Sequence, residues 1–227
     1  MAATILGTIA FVRGWSATRE LLAFFITSSL LSHLPRNGMR SRPRRSAAQV
    51  LANGGVACAA WTLRLAGGPR PLDHLAAGSL AAAAADTWAT EIGGRWGGMP
   101  RIITSGRLVQ SGESGGVTIA GTIAAGGGAL VMALTEGETR RLASIALGGF
   151  LGSLADSILG ALLQARYVCR ACGHTTEQLT HCGKSARLVS GYAWMTNDAV
   201  NALATLLGGA LATEMSRGLD EDIRRRP

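Results

Sequence analysis

Apolar and polar residues follow one another along this chain in long blocks rather than position by position. Six blocks, 17–34, 46–67, 72–93, 116–135, 141–164 and 191–213, are mostly apolar, and each has about the length, roughly 17–25 residues, that crosses a bilayer as a helix. The stretch 2–11 is too short to span and reads as a half-helix. Gly, Ala and Ser recur through the blocks, as in Gly148, Gly152, Ser153 and Ser157, and small residues let helix backbones approach closely in lipid. The pattern predicts an all-α fold: a polytopic transmembrane helix bundle of about six membrane segments. It forms a single helical domain over 1–214, with a Cys-rich cytoplasmic loop at 166–190 and a charged tail at 215–227.

The charges sit between the blocks. Loop 35–45 holds five Arg; loop 94–115 holds Arg95, Arg101 and Arg107; loop 165–190 holds Arg166, Arg170, Lys184 and Arg187. The intervening connections near 68–71 and 136–140 are short and nearly neutral. Three basic loops on one side place that side in the cytoplasm, although the tail on the opposite side has its own Arg run. No cleavable signal peptide is expected at the N-terminus, which lacks a basic start and a small-residue cleavage site. A net charge of +8 would otherwise suggest nucleic acid. With 48% hydrophobic and 16% charged residues and a mean hydropathy of +0.25, loop arginines account for it, and no nucleic-acid partner is expected.

Polar residues inside the blocks gather at the ends next to the basic loops: Gln49 and Asn53; Asp86, Thr90 and Glu91; Asp156 and Gln164; Asn197, Asp198 and Asn201. Spacings of four and eight residues put partners on one helix face. Four helices can thus turn polar faces to one cavity open to the cytoplasm, and no comparable set marks the other side. Gln49, Thr90 and Gln164 fit interhelical hydrogen bonds equally well. Asp86, Asp156 and Asp198 would repel one another without a cation, and Mg²⁺ suits a few carboxylates with phosphate and water. Glu91 is a fourth ligand or a helix-end charge.

Arg101 and Arg107 precede Gly112, Gly115 and Gly116 at the predicted start of the next helix. Arg clamps phosphate oxygens, and glycine-flanked backbone N–H groups at a helix start favour anions; a plain turn fits SGESGG as well. Cys169, Cys172, His181 and Cys182 have tetrahedral zinc spacing, with His174 the competing fourth ligand. Such a site is structural, because four protein ligands leave no open position. Cys58 reads as a packing residue.

In order, RRSAAQVLANGG, DTWATEIG, PRIIT, SGESGGVT, GSLADSILGALLQ, the CxxC…HC loop and WMTNDAVN resemble the motifs of the DUF92/TMEM19 family of integral membrane proteins, over about residues 17–210. That family includes a plant phytyl-phosphate kinase and is distantly similar to CTP-using polyprenol kinases. The resemblance implies a multi-pass enzyme of the cell membrane with its site facing the cytoplasm. It would phosphorylate an isoprenoid monophosphate to the diphosphate using CTP, or another nucleoside triphosphate, with Mg²⁺. Asn53, Asp86, Glu91, Gly115, Gly116, Asp156, Asn197 and Asp198 match family motif positions; GESGG stands where the family often has GTNGG. Together the residues assign Asp86, Asp156 and Asp198 to Mg²⁺, Glu91 and Asn197 to the catalytic set, and Asn53, Arg101, Arg107, Gly112, Gly115, Gly116, Gln164 and Asn201 to substrate and nucleotide phosphates. A monomer or an oligomer is compatible with this reading. The competing function is a transporter or flippase for a polar or phosphorylated solute, since intramembrane carboxylates also mark ion paths. A scaffold with a zinc loop would leave the carboxylates unexplained.

Overall fold

The computed structural model describes residues 1–33 and 46–225, with side chains to Leu219; the arginine-rich loop 35–45 lies outside the described residues. The chain is mostly helical, with seven helices among those residues: α1 Ala2–Arg13, α2 Trp15–His33, α3 Ala47–Leu65, α4 Pro71–Trp96, α5 Ile119–Glu136, α6 Leu142–Leu162 and α7 Asn197–Arg225. Strands β1 (Arg101–Ile102) and β2 (Gly116–Val117) pair antiparallel. Strands β3 (Arg166–Cys169), β4 (Thr175–Thr176), β5 (Thr180–His181) and β6 (Lys184–Ser190) form a sheet in the order β4-β3-β6-β5. The all-α expectation therefore holds for the bundle and fails for the loops. Segments too polar to bury in a helix contact satisfy their backbone groups by pairing strands.

Local chemistry sets the helix ends. Ser46 and Gln49 form a reciprocal capping box that starts α3, Pro71 opens α4, and Thr118 Oγ1 accepts from the Gly121 N–H to start α5. Gly14, at φ 124, turns the half-helix α1 into α2. Helix α5 starts later than the predicted 116 because Gly116 and Val117 are taken into the sheet. Helix α7 starts later than 191 and runs to Arg225, through most of the segment predicted as tail.

Helix α4 is the hub, packed against α2, α3, α5, α6 and α7. Ala81 to Ala85 are all at most 2% exposed, so the alanine run is enclosed on every side rather than facing lipid. Small residues bring its neighbours within backbone contact. A Cβ added to Gly152 would lie 2.7 Å from the Ala82 Cβ, 2.9 Å from the Ala204 carbonyl oxygen and 2.9 Å from the Gly208 Cα. One placed on Gly149 would lie 2.5 Å from the Ala81 Cβ. Outside this core, α5 exposes Ile119, Ile123, Leu130 and Leu134, and α6 exposes Leu147, Leu151, Ile158 and Leu162. Each set is one helical stripe. Helices α5 and α6 alone among the described helices are both long and apolar enough to cross a membrane by length and composition. Helix α4 is not, because an enclosed helix of alanines carrying Asp73, Asp86, Glu91 and Arg95 needs no strongly apolar surface.

Candidate functional site

The contact of Ala82, Gly152 and Gly208 decides what meets at the loop end of the bundle. Helices α4 and α6 run in the same direction, so one turn beyond Ala82 and Gly152 come Asp86 and Asp156. The Asp156 carboxylate lies within the field of Asp86 and of Glu177, and its Oδ2 has no hydrogen-bond partner. Carboxylates gathered in this way need a cation or a proton between them. Helix α7 runs the other way, and Asn201, three residues before Ala204, reaches the same level.

Beside this cluster is a cavity of about 660 Å³, within the usual range for small-ligand sites. Gln49 at the start of α3, Gln164 after α6 and Thr196, Asn197 and Asp198 at the start of α7 line one part of it. Thr196 Oγ1 accepts from the Ala199 N–H, which fixes the first turn of α7 and aims Asn197 and Asp198. An acidic residue is favourable there. The other wall is the sheet: Tyr167, Glu177, Gln178, Leu179 and Thr180. Gln164 is 3% exposed and its side-chain nitrogen has no partner. A buried, unsatisfied amide costs about 1–3 kcal/mol, which a ligand in the cavity would relieve. Glu177 was missed at the sequence level. It lies in electrostatic reach of Asp156 and lines the cavity with Asp198, linking two groups of predicted residues. The only sequence signal was an acid and an amide, Glu177 and Gln178, between the two pairs of metal-ligand residues.

Other predicted residues have different surroundings. Glu91 is 1% exposed and bound to Arg95 at 2.7 Å, and it accepts a hydrogen bond from Ser32 of α2. Arg95 reaches on to the Leu31 carbonyl, so it is a buried tie between α4 and α2 rather than a loop cation. Five residues rotate a helix by about 140° past a full turn, which sends Glu91 to α2 and Asp86 to α6. Arg101 donates to the Gly106 carbonyl and Arg107 reaches Glu113 at 3.4 Å; both are exposed. The glycine loop is not the start of α5. Gly115, at φ 78, is there because a Cβ would meet Ala161 Cβ at 2.5 Å, and the Gly116 N–H donates to the Glu113 carbonyl. Gly112 is exposed at φ 95, with nothing near its missing Cβ. The loop is a turn packed on α6 and held by Arg166, which bonds Glu113 at 2.9 Å and the Ser114 carbonyl at 2.7 Å. Asn53 donates to the Gln49 carbonyl, one turn below the cavity.

In the sheet, donor atoms of Cys169, Cys172, His181 and Cys182 all lie within 4.8 Å of one another. The Cys172–Cys182 sulfurs are 3.8 Å apart, and His181 Nδ1 is 3.5 and 3.3 Å from them. The edges of a tetrahedron with Zn–S and Zn–N bonds of ordinary length are about 3.8 and 3.6 Å, so the four donors fit such an ion. His174 stacks on the His181 ring at 5.8 Å and lies outside the set. Backbone N–H groups of Cys172 and Ala171 directed at Cys169 bring its thiol down to about 6, while Cys182 is pushed up to about 11 by its contact with Cys172. The thiolate is the form of cysteine that binds a metal.

The opposite end of the bundle also carries acids, contrary to the sequence expectation. Asp73 is paired with Arg13 at 2.7 Å and Arg64 at 2.9 Å. Glu20, 3% exposed, faces Glu136 across α2 and α5. These residues were overlooked because each stands singly near a segment end.

The integral membrane protein family DUF92 matches residues 1–209 of the chain. The chain is similar to Protein PGR of Arabidopsis thaliana, 29% identical over 250 residues that cover 94% of this chain and 86% of that protein. It is also 29% identical over 199 residues to the uncharacterized membrane protein MJ0933 of Methanocaldococcus jannaschii, covering 84% and 72%. A third relative, the uncharacterized membrane protein sll0875 of Synechocystis, is 26% identical over 227 residues, covering 92% and 78%. No solved structure matches the chain.

Proposed function

We propose that this chain, which belongs to the DUF92 family of integral membrane proteins, is a multi-pass phosphotransferase that converts an isoprenoid monophosphate to its diphosphate at the cytoplasmic face. Helices α2 to α7 would be the six spans. The observation that carries the reading is a polar cavity that is lined by Glu177 and Asp198 and buries an unpartnered Gln164 amide, with Asp156 in electrostatic reach of both Glu177 and Asp86. Carboxylates of this kind hold Mg²⁺ together with phosphate oxygens. The isoprenoid and the nucleoside triphosphate, CTP before others, come from the motif resemblance. An apolar crevice of about 410 Å³ between α5 and α6, lined by Ile123, Leu147 and Phe150 among others, suits a hydrocarbon tail. From Phe150 to Asp156 is about 9 Å along α6.

In this reading an oxygen of the acceptor phosphate attacks the γ-phosphorus of the nucleotide, the bond from that phosphorus to the β-bridging oxygen breaks, and the nucleoside diphosphate leaves. The acceptor is already anionic, so positioning and charge neutralisation dominate. Mg²⁺ would supply that neutralisation when held by Asp86, Asp156 and Asp198. Asn197, Asn201 and Gln164 would orient the phosphates and Asn53 would support them from α3, while the exposed Arg101 and Arg107 draw anions to the loop face. Glu91 is assigned here to stability. Zn²⁺ at Cys169, Cys172, His181 and Cys182 would hold the sheet. Purified protein given labelled CTP or ATP with a panel of prenyl monophosphates should form Mg²⁺-dependent diphosphate; no product with any of them would exclude the reading.

The Glu20–Glu136 pair favours a second reading, a transporter with carboxylates at both ends. Between the ends, however, α4 presents Ala81 to Ala85, all enclosed, and this supports the enzyme. Uptake of a phosphorylated solute into vesicles without nucleotide turnover would reverse the preference.

A further inference from the structure

The cysteine sheet is more than an appendage of the bundle. The turn 177–179 joins β4 to β5, and the zinc-type donors stand close on either side: Cys172 five residues before Glu177 and His181 four residues after it. Each residue of that turn lines the cavity. The turn is braced by the Gln178 N–H donating to Thr176 Oγ1 and the Ala186 N–H donating to the Leu179 carbonyl. From 166 to 190 only Tyr167 and Cys169 are buried. A sheet with so little core depends on its metal for shape.

Glu177 is exposed, yet among the described residues it has no ion-pair partner. Arg107 and Arg166 both lie at the neighbouring loop and both engage Glu113 instead. Glu177 accepts from the Ser114 hydroxyl of the glycine loop, lines the cavity together with Asp198, and lies in electrostatic reach of Asp156. An acid that shares a cavity wall with a second acid, while the arginines close by are committed elsewhere, is placed for a cation. The buried Gln164 amide with no partner, in the same cavity, independently indicates a ligand there.

We propose that Glu177 is a further carboxylate of the bundle's divalent-cation site and that the Cys/His cluster holds it in place, so that cation binding at the bundle depends on metal in the sheet. This rests on the phosphotransferase reading, because it assigns the same cavity to a cation and phosphates. Glu177 supplies one oxygen to the cation, the glycine loop steadies it through Ser114, and the sheet becomes the adjustable wall of the site.

The test is Mn²⁺ binding to the full chain in detergent, followed by electron paramagnetic resonance, with zinc content measured on the same samples. Glu177→Gln is expected to weaken Mn²⁺ about tenfold or more while keeping its zinc, as is Asp156→Asn. Cys172→Ser is expected to lose zinc and weaken Mn²⁺ by a similar factor, with no further loss when combined with Glu177→Gln. Where Cys172→Ser does not fold, wild-type protein stripped by a chelator takes its place. Wild-type Mn²⁺ affinity in Glu177→Gln, with Asp156→Asn impaired, overturns this inference and leaves the phosphotransferase reading intact. Unchanged Mn²⁺ affinity after zinc removal overturns the coupling to the sheet. No Mn²⁺ binding by the wild type overturns both the inference and the reading beneath it.

Discussion

Asp86 and Glu91 share one helix and lie five residues apart, yet they meet opposite surroundings. Glu91 turns to α2 and is neutralised by Arg95 at 2.7 Å, with both side chains at most 5% exposed. Asp86 turns to α6, where it adds negative charge to that of Asp156. The difference teaches that a buried carboxylate alone does not mark a site. One that is closed by its own cation is architecture; one with a buried oxygen that no donor meets, as at Asp156, calls for a ligand.

The comparison is broken most severely through the sheet. Structural zinc contributes about 10–16 kcal/mol in small zinc-binding peptides. Chelation should therefore abolish hydrogen-exchange protection over 166–190 while the helices keep theirs; unchanged protection would show that the sheet stands without metal. Next is the closed acid. Glu91→Gln strips one partner from a buried pair and should cost about 3–5 kcal/mol of stability, read as a lower unfolding temperature, with the activity of the surviving fold retained. A loss of turnover without a loss of stability would move Glu91 into the site. Asp156 should show the reverse. Asp156→Asn should lower phosphotransfer about 10²–10³-fold with the unfolding temperature unchanged or raised, because it relieves like-charge repulsion. Full activity would remove Asp156. The smallest effect sharpens the role of the glycine loop: Gly115→Ala adds a Cβ against Ala161 and should destabilise by about 1–3 kcal/mol. Gly112→Ala meets only its positive φ and should cost about 1 kcal/mol. Equal costs would mean that the loop does not pack on α6.

Much of this was legible from the sequence. The alternation of apolar blocks and basic loops marks every long helix, and the spacings of four and eight residues mark polar faces on α4, α6 and α7. The Cys and His spacing marks the donors of the sheet, leaving only the choice between His174 and His181 to geometry. What could not be read depends on which neighbour a side chain meets. Helical rotation separates Glu91 from Asp86, but the sequence does not say that α2 waits on one side and α6 on the other. Strand pairing draws Gly116 away from α5, and that depends on Arg101 and Ile102. Glu177 reaches the cavity only on a turn of the sheet. Glu20 and Glu136 are 116 positions apart and meet only once α2 packs on α5.

The most direct measurement of the central claim is transfer of the terminal phosphoryl group from labelled CTP or ATP to a prenyl monophosphate, by purified protein with and without Mg²⁺, alongside Asp156→Asn. The account predicts labelled prenyl diphosphate that requires Mg²⁺ and falls by at least about 10² in the variant. Product formed equally by the variant, or no product from folded wild type across a range of prenyl chain lengths, would contradict it.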